Sequence, residues 1–178
     1  MITVKKESRK KLKLIEELAG LIRDSLGVHC SVVDMENVLQ QTGAEVEFDV
    51  YLSDIDPTII EKRENQLKIT VAASASSEVI RGKLAKAFGF AVLSKGFYVD
   101  DELWGKGHNQ IYVPTPAEDV DAALFAGAFL MPECAFYQKA EEFREGSLYQ
   151  TYLISRYFGV TNTMGSERGI ALGIFQRW

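Results

Sequence analysis

The spacing of apolar residues predicts two helices in the first quarter of the chain. Between residues 14 and 26 they recur at the period of an α-helix, with charged residues between them: Leu14, Ile15, Leu18, Leu21, Ile22 and Leu26. Gly27 follows, and glycine tolerates the positive φ of a helix C-terminal cap. Asp34 is a predicted N-cap for a second, short helix that ends at Gly43. We interpret both helices as packing elements and assign them no chemistry.

From residue 45 the apolar period changes to two, which is the period of a β-strand. Four apolar residues (Val46, Phe48, Val50 and Leu52) alternate with Glu45, Glu47, Asp49 and Tyr51, which predicts a strand with one buried face. Ile59 and Ile60 begin another strand, and residues 63–66 form a turn. Alternating apolar residues from Leu67 to Val71 then complete a predicted β-hairpin.

The central helix is predicted from Glu78 to Leu93, the most apolar helix-compatible run near the middle of the sequence. A serine caps its free N–H groups, with Ser74, Ser76 and Ser77 as the candidates. Glu78 suits the positive end of the helix dipole.

Strong cap signals also mark the second half of the chain. Residues 111–113 predict a short strand, after which Thr115, Pro116 and Glu118 form a predicted capping box with proline at the first helical position. The helix that follows is apolar and ends at Pro132. A charged helix is then predicted over residues 133–145, with Phe136, Ala140 and Phe143 on one side.

The last segment has the outline of a helix-turn-helix. Residues 148–158 are followed by Gly159, Val160 and Thr161 and then by a weakly helical tail. In that tail Gly165 and Gly169 each cost about 1 kcal/mol relative to alanine. We therefore predict one domain over residues 1–145 and a helical, helix-turn-helix-like extension over residues 146–178.

Length and charge restrict the function. The chain has 178 residues, the size of one domain with a small appendage, and its formal net charge of -5 argues against a general nucleic-acid binder. A basic run near the N-terminus is the exception, and we interpret it as a solvated helix start rather than a binding patch: Lys5, Lys6, Arg9, Lys10, Lys11 and Lys13.

The remaining chemistry-bearing residues are few. Cys30 and Cys134 are too isolated for a disulfide framework or a thiolate metal site. His29 and His108 do not have metal-ligand spacing, and we interpret the acidic run at residues 100–102 as a solvated loop. No apolar run spans a bilayer and no signal peptide is present, so we expect a cytoplasmic protein with reduced thiols.

Two motifs together resemble a known family. Arg81, Leu84, Ala85, Gly89 and Leu93 match the framework of the pattern R-x-x-L-A-H-E-x-G-H-x-x-L. Residues 119–132 are similar to E-x-E-A-N-x-F-A-x-x-L-L-M-P, and the tail pattern of FGVS, Arg and Leu-Gly is similar to residues 158–161, Arg168 and residues 172–173. This layout resembles the ImmA/IrrE zinc metallopeptidases.

The resemblance implies an α+β, minimal zincin-like fold, with a small, mostly antiparallel sheet packed on helices. Members of that family cleave repressors or other regulators, often in prophages, mobile elements or stress responses.

The catalytic groups of that family are replaced in this chain. In HExxH, two histidines at i and i+4 bind Zn²⁺ and the intervening glutamate accepts a proton from the bound water. Here Lys86, Ala87 and Phe90 occupy those three positions, and the downstream carboxylates are Asp119 and Asp121. Catalytic zinc needs three protein ligands, so we predict no metal, no cofactor and no family-type catalysis.

These residues lead to one preferred hypothesis and two alternatives. The preferred one is an inactive relative that binds a repressor or other regulator protein through the old substrate cleft. The first alternative is a peptidase or hydrolase whose site is rebuilt or completed by a partner chain. The second is DNA binding through the C-terminal segment, which the acidic average opposes. The sequence leaves open whether Lys86 pairs with Asp119 or Asp121 or faces solvent.

Overall fold

A computed structural model of the chain describes residues 2–63, 66–95 and 110–176, with side chains described from residue 9 onward. The fold class is α+β, as the sequence predicts. In the described part the α-helices are α1 Ile2–Ser25, α2 Met35–Gln41, α3 Ser77–Phe90, α4 Pro116–Leu130, α5 Glu133–Glu142, α6 Thr151–Phe158 and α7 Asn162–Ala171. A π-helical segment, Ala91–Lys95, continues directly from α3.

A mixed sheet of four strands forms the β part of the fold. The strands are β1 Glu45–Asp49, β2 Ile59–Arg63, β3 Gln66–Ala72 and β4 Gln110–Tyr112, in the order β1-β3-β2-β4. β2 pairs antiparallel with β3 and with β4, whereas β1 pairs parallel with β3. The predicted hairpin is therefore confirmed as β2 and β3, although residues 64 and 65 of its predicted turn lie outside the described part.

The chain divides into two compact units. The first, Asp34–Ala126, contains the four-stranded sheet with α2 and α3. The second combines Met1–Val33 with Gly127–Trp178 and contains α1, α5, α6 and α7. Helix α4 begins in the first unit and ends in the second. The division predicted at residue 145 stays a prediction.

Each unit has its own buried apolar residues. In the sheet unit they come from the middle strands and from α2 and α3, and include Leu39, Ile60, Ile69, Leu84 and Phe88. In the other unit they include Ile15, Ala19, Phe129, Phe136, Ile154 and Phe158. The alternation and helical spacing of the sequence account for these positions.

Side-chain caps fix several helix starts as predicted. An oxygen of Asp34 accepts the N–H of Asn37 at 3.1 Å, and the hydroxyl of Ser76 accepts the N–H of Val79 at 3.4 Å. Thr115 and Glu118 form the full capping box: the carboxylate accepts the Thr115 N–H at 2.9 Å, and the Thr115 hydroxyl accepts the Glu118 N–H at 3.3 Å.

The predicted first strand is too long and its apolar face is not fully buried. β1 ends at Asp49, because the Asp49 carboxylate accepts the N–H of Tyr51 at 2.7 Å and so turns the chain. Phe48 is 39% exposed and Val50 is 74% exposed. The predicted burial of these two residues was therefore wrong.

The predicted helix over residues 133–145 is also too long. Helix α5 ends at Glu142, and Arg144–Glu145 (β5) then pairs antiparallel with Leu148–Tyr149 (β6). Gly146 in the connection has φ +60°, which favours glycine and allows the tight turn.

The described part of the chain contains no single helix with the length and hydropathy needed to cross a membrane. Helices α4 and α5 meet these criteria of length and composition only when taken together, and they are bent by 67° at their junction.

Candidate functional site

The three positions that the resemblance aligns with the zinc motif, Lys86, Ala87 and Phe90, lie at the C-terminal end of one continuous helix, α3. Lys86 and Phe90 are separated by four residues, so they lie on the same side of the helix, as the two zinc-binding histidines of HExxH do. Ala87 and Phe90 are buried, whereas the Lys86 side chain is 41% exposed. The two apolar side chains at this end of α3 are therefore covered, and the amine of Lys86 is partly in solvent.

Helix α4 contacts this end of α3 at Gly89. A Cβ atom added to Gly89 would lie 2.9 Å from the carbonyl oxygen of Ala122 and 2.9 Å from a ring carbon of Phe125. The rings of Phe88 and Phe125 meet edge to face, with centroids 5.8 Å apart. Gly89 thus allows the backbone of α4 to approach α3 more closely than any other residue would permit.

An ion pair joins the two helices beside this contact. The Lys86 Nζ lies 2.7 Å from a carboxylate oxygen of Asp119, and the side chains are 41% and 50% exposed. Asp119 precedes Ala122 by three residues and so lies on the same face of α4. The sequence left open whether Lys86 pairs with Asp119 or Asp121 or faces solvent. In the structure it pairs with Asp119, and the pair is half-exposed. Asp121 is also half-buried.

The π-helical segment adds a second contact near the start of α4. Lys95, its last residue, places Nζ 5.1 Å from the ring centroid of Tyr112 in β4. The Tyr112 hydroxyl donates to the side-chain oxygen of Gln110 at 2.8 Å, and burial raises the pKa of Tyr112. The N–H of Thr115 lowers the pKa of Glu118, with smaller contributions from its hydroxyl, Ser94 and Lys95.

Sequence reasoning missed Lys95 and Tyr112 as neighbours. The available signal was weak, since Lys95 ends an apolar run and Tyr112 lies within a three-residue strand. Only the pairing of β4 with β2 brings Tyr112 beside the end of the central helix.

The described residues include no group of three or more His, Cys, Asp or Glu side chains positioned to hold a metal ion. At the motif itself, Lys86 contributes a cation that is bound to Asp119, and Phe90 has no lone pair. His29, Cys30 and Cys134 are exposed. His108 and the acidic run at residues 100–102 lie outside the described part.

The C-terminal segment contains the predicted pair of helices joined at residues 159–161, but the first is shorter than predicted: Leu148 and Tyr149 form β6, and α6 begins at Thr151. Helix α6 ends at Gly159, which has φ +63°, and Thr161 caps α7 through its hydroxyl, which accepts the N–H of Met164 at 3.2 Å. The two helices are in close contact, because a Cβ atom on Gly165 would lie 2.0 Å from the Ser155 hydroxyl.

The basic residue of α7 faces inward. Arg168 is buried, its Nε donates to the carbonyl of Met131 at 2.9 Å, and its guanidinium forms a two-point ion pair with Glu16. Arg168 is therefore a structural residue of this unit and is not presented to a ligand.

Comparison with known proteins gives a likeness of fold alone. No protein-family profile and no curated protein matches the chain. Among solved structures it is similar to a Mycobacterium tuberculosis transcriptional regulator, at 21% identity and a TM-score of 0.56. The match covers 91% of this chain and 50% of that one, so this chain spans half the length of its structural neighbour.

Proposed function

We propose that this protein is a catalytically inactive relative of the ImmA/IrrE metallopeptidases, and that it acts as a regulatory module by binding a protein partner. The observation that carries the proposal is the Lys86–Asp119 ion pair. It joins the position of the first zinc ligand to a carboxylate of the motif that supplies the third ligand in that family.

This ion pair is incompatible with a zinc centre of the family type. The ammonium of Lys86 neutralises the carboxylate that a metal would need, and it repels a divalent cation at short range. Phe90 and Ala87 leave neither the second ligand nor the general base. The paired helices α3 and α4 remain, without the catalytic groups. The exposed surface at Lys86 and Asp119 is therefore suited to binding rather than to catalysis.

Two further considerations support a regulatory role. The solved structure of similar fold is named a transcriptional regulator. The family that the motifs resemble acts on repressors and other regulators, often in prophages or mobile elements. We accordingly propose that the partner is a repressor or regulator protein and that it binds the half-exposed surface at Lys86 and Asp119.

Metal content tests the first half of the proposal. The purified wild-type protein should contain far less than one equivalent of zinc by elemental analysis. A Lys86→His/Phe90→His variant restores both imidazoles beside Asp119, and we expect it to bind zinc at least about tenfold more tightly than wild type. A Lys86→His/Phe90→Leu variant is the matched control, with one imidazole and no gain.

The results are interpretable in each direction. Stoichiometric zinc in the wild-type protein would overturn the assignment as an inactive relative. A restored pair that binds no more zinc than its control would count against the resemblance itself, because the positions would then not share the geometry of HExxH.

Affinity capture tests the second half. We would compare proteins retained by the tagged wild type with those retained by a Lys86→Glu/Asp119→Lys variant, which keeps the ion pair but reverses its polarity. We expect a repressor or regulator protein that the wild type retains and the reversed variant loses. Recovery of the same proteins by both would show that the surface at Lys86 and Asp119 is not the binding surface.

The geometry gives less support to DNA binding through α6 and α7. Phosphate contacts need exposed Lys or Arg, but the cation within α7, Arg168, is buried against Glu16 and Met131. The described polar positions at the start and outer face of α7 are Asn162, Thr163 and Glu167, which carry no positive charge.

A further inference from the structure

Strand β1 has a backbone edge that no other described strand occupies. In the order β1-β3-β2-β4 it is a terminal strand, with β3 as its neighbour. The carbonyl of Asp49 accepts the N–H of Ala73 at 2.9 Å, so Asp49 directs its backbone groups toward β3. Because these directions alternate along a strand, the N–H and C=O groups of Val46 and Phe48 point away from β3.

The apolar face of β1 is less buried than that of its neighbour. Phe48 is 39% exposed, whereas its register partner in β3, Val71, is 1% exposed. The chain beyond the strand continues this exposure, with Val50, Tyr51 and Ile55 largely in solvent. Residues 46–55 therefore combine backbone N–H and C=O groups that face no described strand with exposed apolar side chains. These features favour the addition of a further strand.

The opposite face of β1 is acidic. Glu45, Glu47 and Asp49 alternate along it, and Asp54 and Asp56 follow; residues 45–56 contain no Lys or Arg. Glu47 is already engaged by the buried Lys68, whose hydrogen bond lowers the pKa of Glu47. Glu45 and Asp49 lie at the two ends of the strand. One carboxylate oxygen of Asp49 accepts the N–H of Tyr51, which leaves its other oxygen and the Glu45 carboxylate to meet a cation.

We propose that β1 is a docking edge for an extended segment of another protein in which Lys or Arg alternates with apolar residues. Such a segment would add as a strand, placing its cations opposite the carboxylates on one face and its apolar side chains against Val46 and Phe48 on the other. A second copy of β1 is a poor occupant, because like charges would then lie opposite one another.

Strand β1 is a different surface from the Lys86–Asp119 pair, because β1 lies at the edge of the sheet opposite β4. Binding at β1 would depend on its backbone edge and on Glu45 and Asp49, and not on Lys86. Failure of binding at β1 would leave the proposed function intact, and the converse also holds.

Peptide binding provides the test. The probes are a synthetic peptide of alternating Lys and Val and a peptide of the same composition in block order, compared by fluorescence anisotropy on the full chain. We expect the alternating peptide to bind at least about tenfold more tightly. It should also slow hydrogen exchange at the Val46 and Phe48 amides, because these N–H groups become bonded.

Two charge variants locate the site. Glu45→Lys/Asp49→Asn keeps a side-chain oxygen that can accept the Tyr51 N–H, and it should weaken binding of the alternating Lys peptide at least about tenfold. Glu133→Lys/Glu145→Gln makes the same change in net charge on α5 and β5 and should leave binding unchanged. Glu47 is left intact because it pairs with Lys68.

Two results would overturn the proposal. Equal binding of the alternating and block peptides would show attraction by charge alone. Unchanged hydrogen exchange at Val46 and Phe48 in the wild-type complex would show that no strand is added, and this measurement needs no variant to fold.

Discussion

The two units of the molecule each contain a long-range ion pair, and the two pairs have different surroundings. In the unit built from the two ends of the chain, Arg168 and Glu16 are nearly inaccessible, and Arg168 also donates to the carbonyl of Met131. In the sheet unit, Lys86 and Asp119 lie half in solvent. The same kind of interaction thus has a buried and an exposed form in one chain.

This difference in exposure predicts that the two pairs contribute differently to stability. A buried pair must remain complete, because removing one partner leaves the other charge desolvated. An exposed pair contributes little, since water competes for both groups. We infer that the stability of the fold does not require the Lys86–Asp119 pair, so the pair is available for the recognition role proposed above.

Breaking the buried pair should have the largest effect. An Arg168→Met substitution leaves Glu16 without its partner, and we expect a loss of about 3–5 kcal/mol in the free energy of unfolding, measured by urea denaturation. A Glu16→Leu/Arg168→Met double variant should recover part of that loss. A loss below about 1 kcal/mol for the single variant would contradict the burial argument.

The contact between α3 and α4 comes next. Gly89→Ala places a methyl group against a backbone carbonyl that cannot rotate away, so we expect a loss of about 1–3 kcal/mol. Gly20→Ala in α1 is the matched control, because nothing lies within 4 Å of its added Cβ. Since alanine is the better helix former, the control should gain about 0.5–1 kcal/mol.

The capping box at the start of α4 should show a smaller, pH-dependent effect. The N–H of Thr115 lowers the pKa of Glu118 below its ordinary value of 4.5, so the ionised carboxylate stabilises the folded state above that pH. Stability is lost as the pH falls through the folded pKa. Glu118→Gln should therefore destabilise the protein at about pH 7, and its difference from wild type should shrink as the pH falls below 4.5 and through the folded pKa of Glu118.

Thr115→Ala is the companion variant for the capping box. It removes the hydroxyl that accepts the Glu118 N–H, and we expect it to cost about 1 kcal/mol at neutral pH. A difference between wild type and Glu118→Gln that persists unchanged into acid would exclude the carboxylate as the source of the effect.

The exposed pair should give the smallest change. Lys86→Ala is expected to alter the free energy of unfolding by less than about 1 kcal/mol, and added salt should reduce the difference further. Urea denaturation at low and high salt measures it. A loss as large as that of Arg168→Met would show that the Lys86–Asp119 pair is structural.

Local signals in the sequence predicted the features that depend on neighbours along the chain. The Thr115–Glu118 box, the Asp34 cap and the β2–β3 hairpin each arise within a few residues, so their residue types suffice to identify them. The short hairpin of β5 and β6 was hidden, because the helical spacing of Phe136, Ala140 and Phe143 continues past the true end of α5.

Long-range features were not available from the sequence. Alternation predicted β1, but not its parallel pairing with β3 or the exposure of Phe48, both of which depend on which elements cover the strand. Asp119 and Asp121 are two residues apart and therefore project about 200° apart on α4. The choice between them as the partner of Lys86 depends on which face of α4 meets Gly89.

The π-helical segment after Phe90 makes the spacing of this region sensitive to length. A π turn accommodates one residue more than an α turn, so Lys95 at the end of the segment is rotated relative to its place in an uninterrupted α-helix. In this position its Nζ lies 5.1 Å from the centroid of the Tyr112 ring. Deleting one residue between Ala91 and Ser94 would convert the π turn to an α turn and rotate Lys95 about the helix axis, away from the Tyr112 ring. No substitution of a single side chain would produce this rotation.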